Sequence, residues 1–188
     1  MAQEKSSDIF KGLPNKLTLF RVCVIPVLLF LYPLDFDSLN IFCAFLFAVA
    51  AWTDFFDGFI ARQFKMESKL GMLIDPIADK LLTTAGLLLL VANHTIWAWL
   101  AGLLLCRDVA LSGMRLVARE QGTSVPVNWF GKCKTFFLDT AIFCLMVKKP
   151  LFGWPFQEVG MSCLWLAAFL SFYSAWLYLR DFFGKTMA

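Results

Sequence analysis

Residues 53–80 read TDFFDGFIARQFKMESKLGMLIDPIADK. Four aspartates, Asp54, Asp57, Asp75 and Asp79, stand in this stretch of a chain that is 60% hydrophobic. Asp54 and Asp57 are spaced i, i+3, and Asp75 and Asp79 i, i+4, so each pair shares one face of its own helix. An antiparallel hairpin about a turn near Met66–Glu67 sets Asp54 level with Asp79 and Asp57 level with Asp75. The four carboxylates then converge on one spot, about 10–15 Å from the turn at the helical rise per residue.

The rest of the chain supplies the setting for those acids. With 188 residues, 21 phenylalanines and a mean hydropathy of +0.69, it is too apolar for an ordinary soluble domain. A helix crosses a hydrocarbon core in roughly 20 apolar residues. Six runs are long enough, at approximately 17–33, 38–63, 71–92, 96–119, 128–147 and 158–182. The expected fold is therefore all-α, an integral membrane bundle of six transmembrane helices with short connections and no internal repeat. Residues 1–16 form a cytoplasmic juxtamembrane segment ahead of a membrane domain over 17–188. Within it, IFKGLPNKL predicts a short amphipathic helix lying along the membrane surface. The run after it contains Arg21 and Pro26 and no small-x-small cleavage site, and so reads as the first span, not a removed signal.

All but two of the 17 Lys and Arg residues fall on one side of this topology, in inner segments or adjoining helix ends. The positive-inside rule then puts both termini and the acid cluster in the cytoplasm, as in a bacterial inner membrane. Lys148 and Lys149 stand against that bias, and headgroup contact is the expectation for them. The basic residues flank membrane helices and form no continuous stripe, which excludes a nucleic-acid partner. Cys23, Cys43, Cys106, Cys133, Cys144 and Cys163 lie in or beside apolar runs with no CxxC spacing, as reduced packing residues. His94 falls by an outer loop, far from the acids, and reads as a surface histidine.

An Asp at the centre of a spanning helix costs about 2.5–3.5 kcal/mol on the insertion scale, and four together repel. Hard divalent cations remove both difficulties, since carboxylate oxygen is the ligand that Mg²⁺ and Mn²⁺ prefer. Four carboxylates suffice for two ions with bridging ligands, a recurrent device in displacement at phosphorus. A proton relay, or neutralisation by nearby Arg and Lys, is the alternative. Gly58, Ala61 and Gly71 are small where the acidic helices must approach. Arg62 follows at the cytoplasmic end, where it either grips a phosphate or snorkels.

Asp-x-x-Asp-Gly-x-x-Ala-Arg, eight residues, then Gly-x-x-x-Asp-x-x-x-Asp resembles the signature of the CDP-alcohol phosphotransferase family. All its fixed positions are present: Asp54, Asp57, Gly58, Ala61, Arg62, Gly71, Asp75 and Asp79. The resemblance implies a membrane enzyme of six spanning helices, commonly homodimeric. Such enzymes move a phosphatidyl or similar group from a CDP-linked donor to an alcohol and release CMP. It assigns the metal ions to Asp54, Asp57, Asp75 and Asp79, with Asp79 also the general base, and the CDP moiety to Gly58, Ala61, Arg62 and Gly71. Asn15 either caps the first span or, within the resemblance, sits near the nucleotide.

The segments LPNKLTLFR, RDVALSGMRLVAREQG and VNWFGKCKT resemble the branch of that family that acts on glycerol 3-phosphate with CDP-diacylglycerol as donor. Asp108 stands where many of that branch carry Glu, with the charge kept. A dianionic acceptor needs cations. A turn through QGTSVP sets Arg115 level with Lys132 and Cys133, with Arg107 two turns deeper. Arg107, Arg115 and Lys132 are the candidates for its phosphate. Lys134 cannot point the same way as Lys132 on a helix and ranks below it. Arg107 has the alternative of neutralising Asp108 or Asp139. GKCKT lacks the Gly-rich approach of a phosphate loop.

Other readings remain open in the sequence. A relative could use serine, inositol phosphate or phosphatidylglycerol as acceptor. An ion or proton transporter could use the acid cluster, although such proteins often show two related halves and none are visible. A purely structural bundle leaves four membrane acids unexplained.

Overall fold

Among the described residues six α-helices follow one another: α1 Leu13–Leu31, α2 Asp37–Phe64, α3 Lys69–Ala92, α4 Ala98–Glu120, α5 Trp129–Met146 and α6 Phe156–Thr186. A single 3₁₀ turn, Tyr32–Leu34, lies between α1 and α2. The structure, a computed structural model, describes the backbone of residues 13–64, 69–120, 129–149 and 153–186. It describes side chains over 19–53, 77, 78, 80–114, 129, 131–149 and 153–180. No strand occurs among the described residues, and each helix overlaps one of the six apolar runs.

The start of α1 bears on two expectations at the N-terminus. The first helix begins at Leu13, so Asn15 lies inside its first turn and not at the cap. Pro14 is tolerated beside it because a first-turn residue has no intrahelical partner for its N–H. Residues 13–17 of IFKGLPNKL run straight into α1 and are no separate surface helix; the preceding part lies outside the described residues.

Apolar residues recur every three or four positions and turn one stripe of each helix inward. Val24 and Leu28 do this on α1, Cys43 and Phe47 on α2, and Leu82 and Leu89 on α3. Leu100 and Leu104 follow on α4, Leu138, Ile142 and Leu145 on α5, and Leu164 and Ala168 on α6. The broadest contact is between α5 and α6; α1 lies on α2 and α3, α5 touches both of them, and α4 leans on α3 and α6. Gly86 marks a close approach of three helices, since a Cβ there would lie 2.8 Å from Ile142 Cγ2 of α5 and 3.0 Å from Phe47 Cε2 of α2.

The outward faces are as apolar as the core. Phe30 on α1, Val109 on α4 and Phe169 on α6 are 79%, 69% and 68% exposed, and Trp52, Leu88 and Phe136 continue the pattern on α2, α3 and α5. Soluble monomers rarely expose contiguous apolar patches beyond a few hundred Å². Hydroxyl groups on these helices bond back to the preceding turn: Thr140 donates to Phe136 O at 2.7 Å and Ser162 to Glu158 O at 2.8 Å. That bonding satisfies a polar group without water. Among the described residues, Phe156–Arg180 is long and apolar enough to cross a bilayer, with a mean hydropathy of 1.4. Leu19–Leu34, Asp37–Thr53 and Lys80–Ala92 are shorter apolar stretches.

The connection between α1 and α2 meets the end of α5 through charge. Lys148 donates to Asp35 and stands 5.4 Å from the Tyr32 ring centre, and Lys149 donates to Asp37 at 2.5 Å. The two lysines expected at headgroups are thus paired with the acids of LDFDS. Asn40 donates a further bond to Asp35 at 3.0 Å. The Lys148 bond, then the Asn40 bond, hold the Asp35 carboxyl below its ordinary range. His94 is exposed and left-handed (φ 55°). The chain past it closes α3 with bonds from His94 N to Val91 O and from Thr95 N to Leu90 O, a Schellman ending. That accounts for this histidine structurally.

Candidate active site

The acidic motif occupies two helices that touch. Asp54 and Asp57 fall on α2, and Asp75 and Asp79 on α3; both backbones are helical through these positions, and the two helices contact each other. The i, i+3 and i, i+4 spacings therefore do set each pair on one helical face. The four side chains lie outside the described ones, as do those of Asn15, Gly58, Ala61, Arg62 and Gly71. The hairpin turn expected near Met66–Glu67 also lies outside the described residues. As donors the four suit the expected ions: all are carboxylates, and they lie on two helices that contact each other.

One residue beyond Asp79, the described side chains begin to line a cavity of about 180 Å³. Lys80, Thr83 and Thr84 contribute from α3, Arg107, Asp108 and Ser112 from α4, and Gly131, Lys134 and Thr135 from α5. Leucines close its apolar end. Lys80, Thr83 and Thr84 follow i, i+3, i+4, as do Gly131, Lys134 and Thr135, so each helix presents one polar face. The size is below the roughly 300–1,000 Å³ of pockets for drug-sized ligands and suits a small polar one.

Its charges are connected. Arg107 Nη1 donates to Asp108 Oδ1 at 2.9 Å, and Lys134 Nζ donates to Asp108 Oδ2. Arg107 Nη2 donates to Ser174 Oγ of α6. Lys80 Nζ donates to Ser112 Oγ, which donates to the Asp108 carbonyl at 2.6 Å. The Lys134 side chain is only 5% exposed and that of Arg107 11%.

Of the three residues expected at an acceptor phosphate, Arg107 lines this cavity. The Arg115 side chain and the QGTSVP turn lie outside the described residues. Lys132 is exposed and stands 5.9 Å from the ring centre of Trp129, while Lys134 is buried and faces the cavity. Two residues along a helix are separated by about 200°, so only one of these lysines can face inward. Lys134 lies four residues before Leu138 on the stripe that continues to Ile142 and Leu145. That period is readable in the sequence and marks Lys134 as the lysine on the inward stripe. Lys80, Ser112 and the threonines carry no such signal, because a lone lysine or hydroxyl inside a helix does not by itself tell which neighbouring helix it faces. Arg107 takes the first of its two expected neutralising partners, Asp108.

These features fit a bundle that handles phosphate groups at an acidic centre, and similarity to known proteins defines the class. A family model described as CDP-alcohol phosphatidyltransferase matches residues 11–173, and the chain belongs to that family. Within it the chain resembles relatives named CDP-diacylglycerol–glycerol-3-phosphate 3-phosphatidyltransferase. The one from Pectobacterium atrosepticum is 36% identical over 90% of this chain and 93% of its own length. That from Bacillus subtilis is 34% identical over 89% and 93%, and that from Rickettsia prowazekii 36% over 92% and 96%.

Proposed function

We propose that this protein transfers the phosphatidyl group of CDP-diacylglycerol to the free primary hydroxyl of glycerol 3-phosphate, giving phosphatidylglycerol phosphate and CMP. The cavity beside Asp79 carries the choice of acceptor. Its described charged groups are three cations, Lys80, Arg107 and Lys134, and one carboxylate, Asp108, leaving a surplus of two positive charges. That surplus matches a phosphate monoester dianion. It favours a phosphorylated alcohol over serine, and the relatives' names favour glycerol 3-phosphate over inositol phosphate.

Arg107 and Lys134 hold the acceptor phosphate in this reading, with Arg115, two turns further along α4, as the third candidate. Asp79 takes the proton from the attacking hydroxyl, which displaces CMP in one step and inverts the phosphorus. Asp54, Asp57, Asp75 and Asp79 hold two divalent cations, Mg²⁺ or Mn²⁺, which when bound supply electrostatic stabilisation to the phosphoryl oxygens. Arg62, with Gly58, Ala61 and Gly71, receives the CDP moiety.

The apolar outer faces support a six-span bundle in the membrane. So do the stacked, exposed rings of Trp97 and Trp99, 6.2 Å apart, at the start of α4, since tryptophan concentrates at membrane interfaces. Pairing of Lys148 and Lys149 with Asp35 and Asp37 neutralises the opposing basic pair. This favours a cytoplasmic active site.

The test is CMP release by the purified protein from CDP-diacylglycerol and Mg²⁺ with each alcohol in turn. Glycerol 3-phosphate is expected to support turnover, and serine, inositol phosphate and phosphatidylglycerol are not. Turnover with another alcohol alone would refute the acceptor assignment. Metal-driven ion flux in vesicles without CMP release would instead favour a transporter.

A further inference from the structure

Asp108 contacts two cations of the cavity and connects to the third. Its Oδ1 accepts from Arg107 and its Oδ2 from Lys134 of the neighbouring helix. Its backbone carbonyl accepts from Ser112, whose oxygen holds Lys80 of α3. Three helices are thereby tied to one aspartate.

Charge balance alone does not demand this arrangement. A guanidinium and an ammonium packed side by side, both largely withdrawn from water, repel strongly in a medium of reduced dielectric. Left alone, the longer side chains would turn apart, and an arriving phosphate would meet one cation at a time. A carboxylate bonded to both holds the two donor groups on the same wall at a set separation. The side chain of Asp108 is 25% exposed. The cations of the pair are buried more deeply, and Ser174 anchors the far end of the guanidinium on α6.

We propose that Asp108 is a positioning residue for the acceptor, acting through Arg107 and Lys134 to pre-set a site for a phosphate monoester dianion. The proposal rests on reading this cavity as the acceptor site. Preorganised charge lowers the reorganisation needed on binding. Removing it weakens acceptor binding although net positive charge in the cavity rises. A simple attraction model predicts the opposite sign.

The experiment measures initial rates of CMP release by the full-length protein, varying glycerol 3-phosphate and CDP-diacylglycerol separately. Asp108→Asn is expected to raise the glycerol 3-phosphate KM about tenfold, the scale of one charge-assisted hydrogen bond. The CDP-diacylglycerol KM stays within about twofold. Asp108→Glu keeps the charge but lengthens the side chain, and its acceptor KM is expected to rise only about threefold. Asp108→Ser carries the test where Asp108→Asn does not fold. An acceptor KM that is unchanged or lowered in the neutral variant overturns the proposal. Matching losses for both substrates that Glu does not relieve indicate a structural role and also overturn it. Lys134→Ala separates the two readings. If it leaves the acceptor KM unaltered, the cavity is not the acceptor site. If it raises that KM while the Asp108 variants do not, only the positioning role fails.

Discussion

Lys134 of α5 reaches across to the carboxylate of Asp108 on α4 and ties the two helices at the wall of the cavity. The residues are 26 positions apart and separated by a turn, yet the lysine is almost wholly withdrawn from solvent. A buried ammonium needs a partner, and the partner found here leaves three cations and one anion around a small polar space.

That geometry separates two lysines of one helix. Lys134→Ala and Arg107→Ala are each expected to raise the glycerol 3-phosphate KM by about 10- to 100-fold, from the loss of about 1.5–3 kcal/mol in bonds to a charged group. Lys132→Ala, at the exposed position over Trp129, should change it by less than about twofold. Steady-state CMP release with acceptor varied checks all three. Equal effects of the two lysines would contradict the inward assignment of Lys134.

Asp79→Asn is expected to leave the protein folded and lower turnover by about 10²- to 10⁴-fold, the usual contribution of a positioned base. Thermal unfolding and CMP release measured on the same preparation distinguish the loss of chemistry from the loss of fold. Near-normal turnover would remove Asp79 from the base role.

Divalent cations should be recoverable from the acidic centre. Chelation is expected to abolish CMP release, and Mg²⁺ or Mn²⁺ to restore it. Titration calorimetry with CDP-diacylglycerol present should detect cation uptake that Asp57→Asn and Asp75→Asn weaken. Full activity in excess chelator would rule out the ions.

Gly86→Ala probes the junction of α2, α3 and α5. Alanine gains up to about 1 kcal/mol in a helix over glycine. The new methyl, however, meets a β-branched Ile142 whose side chain has little freedom. Overpacking of this kind costs about 1–3 kcal/mol, so net destabilisation is expected, seen as a lower unfolding temperature in detergent. Stabilisation would show that the helices move apart at no cost.

The Lys148–Asp35 pair gives a pH effect of known sign. Asp35 titrates below its unfolded value, so its contribution to stability is present above that value and is lost as pH falls through the folded one. Lys148→Ala should move the Asp35 pKa upward, readable by carboxyl-carbon NMR, and flatten the acid limb of the stability profile. Because the pair is exposed, the effect should shrink in high salt.

The helices and the acidic motif were legible in the chain itself. Runs of apolar residues, a 3.6-residue period and the spacing of four aspartates are local properties, and a helix converts spacing into a shared face without outside help. The six helices accordingly fall where those runs do, with ends shifted by a few residues at α1 and α6. Of the two readings of Asn15, capping does not fit a helix that already includes Leu13 and Pro14, since Pro14 suits a first turn as well as a loop. Of Lys132 and Lys134, the one that lines the cavity is the one in register with the apolar stripe of α5 through Leu138.

Other features required the assembled bundle. Nothing local links Lys148 to Asp35 across 113 positions, Arg107 to Ser174 across 67, or Lys80 to Ser112 across 32. Such pairs depend on how each helix is rotated about its axis and how far it slides against its neighbours, which packing at places such as Gly86 sets. Sequence determined which residues share a helix face, because that follows from bonds between near neighbours. The tertiary structure decided which faces meet, because only close packing fixes rotation and register together.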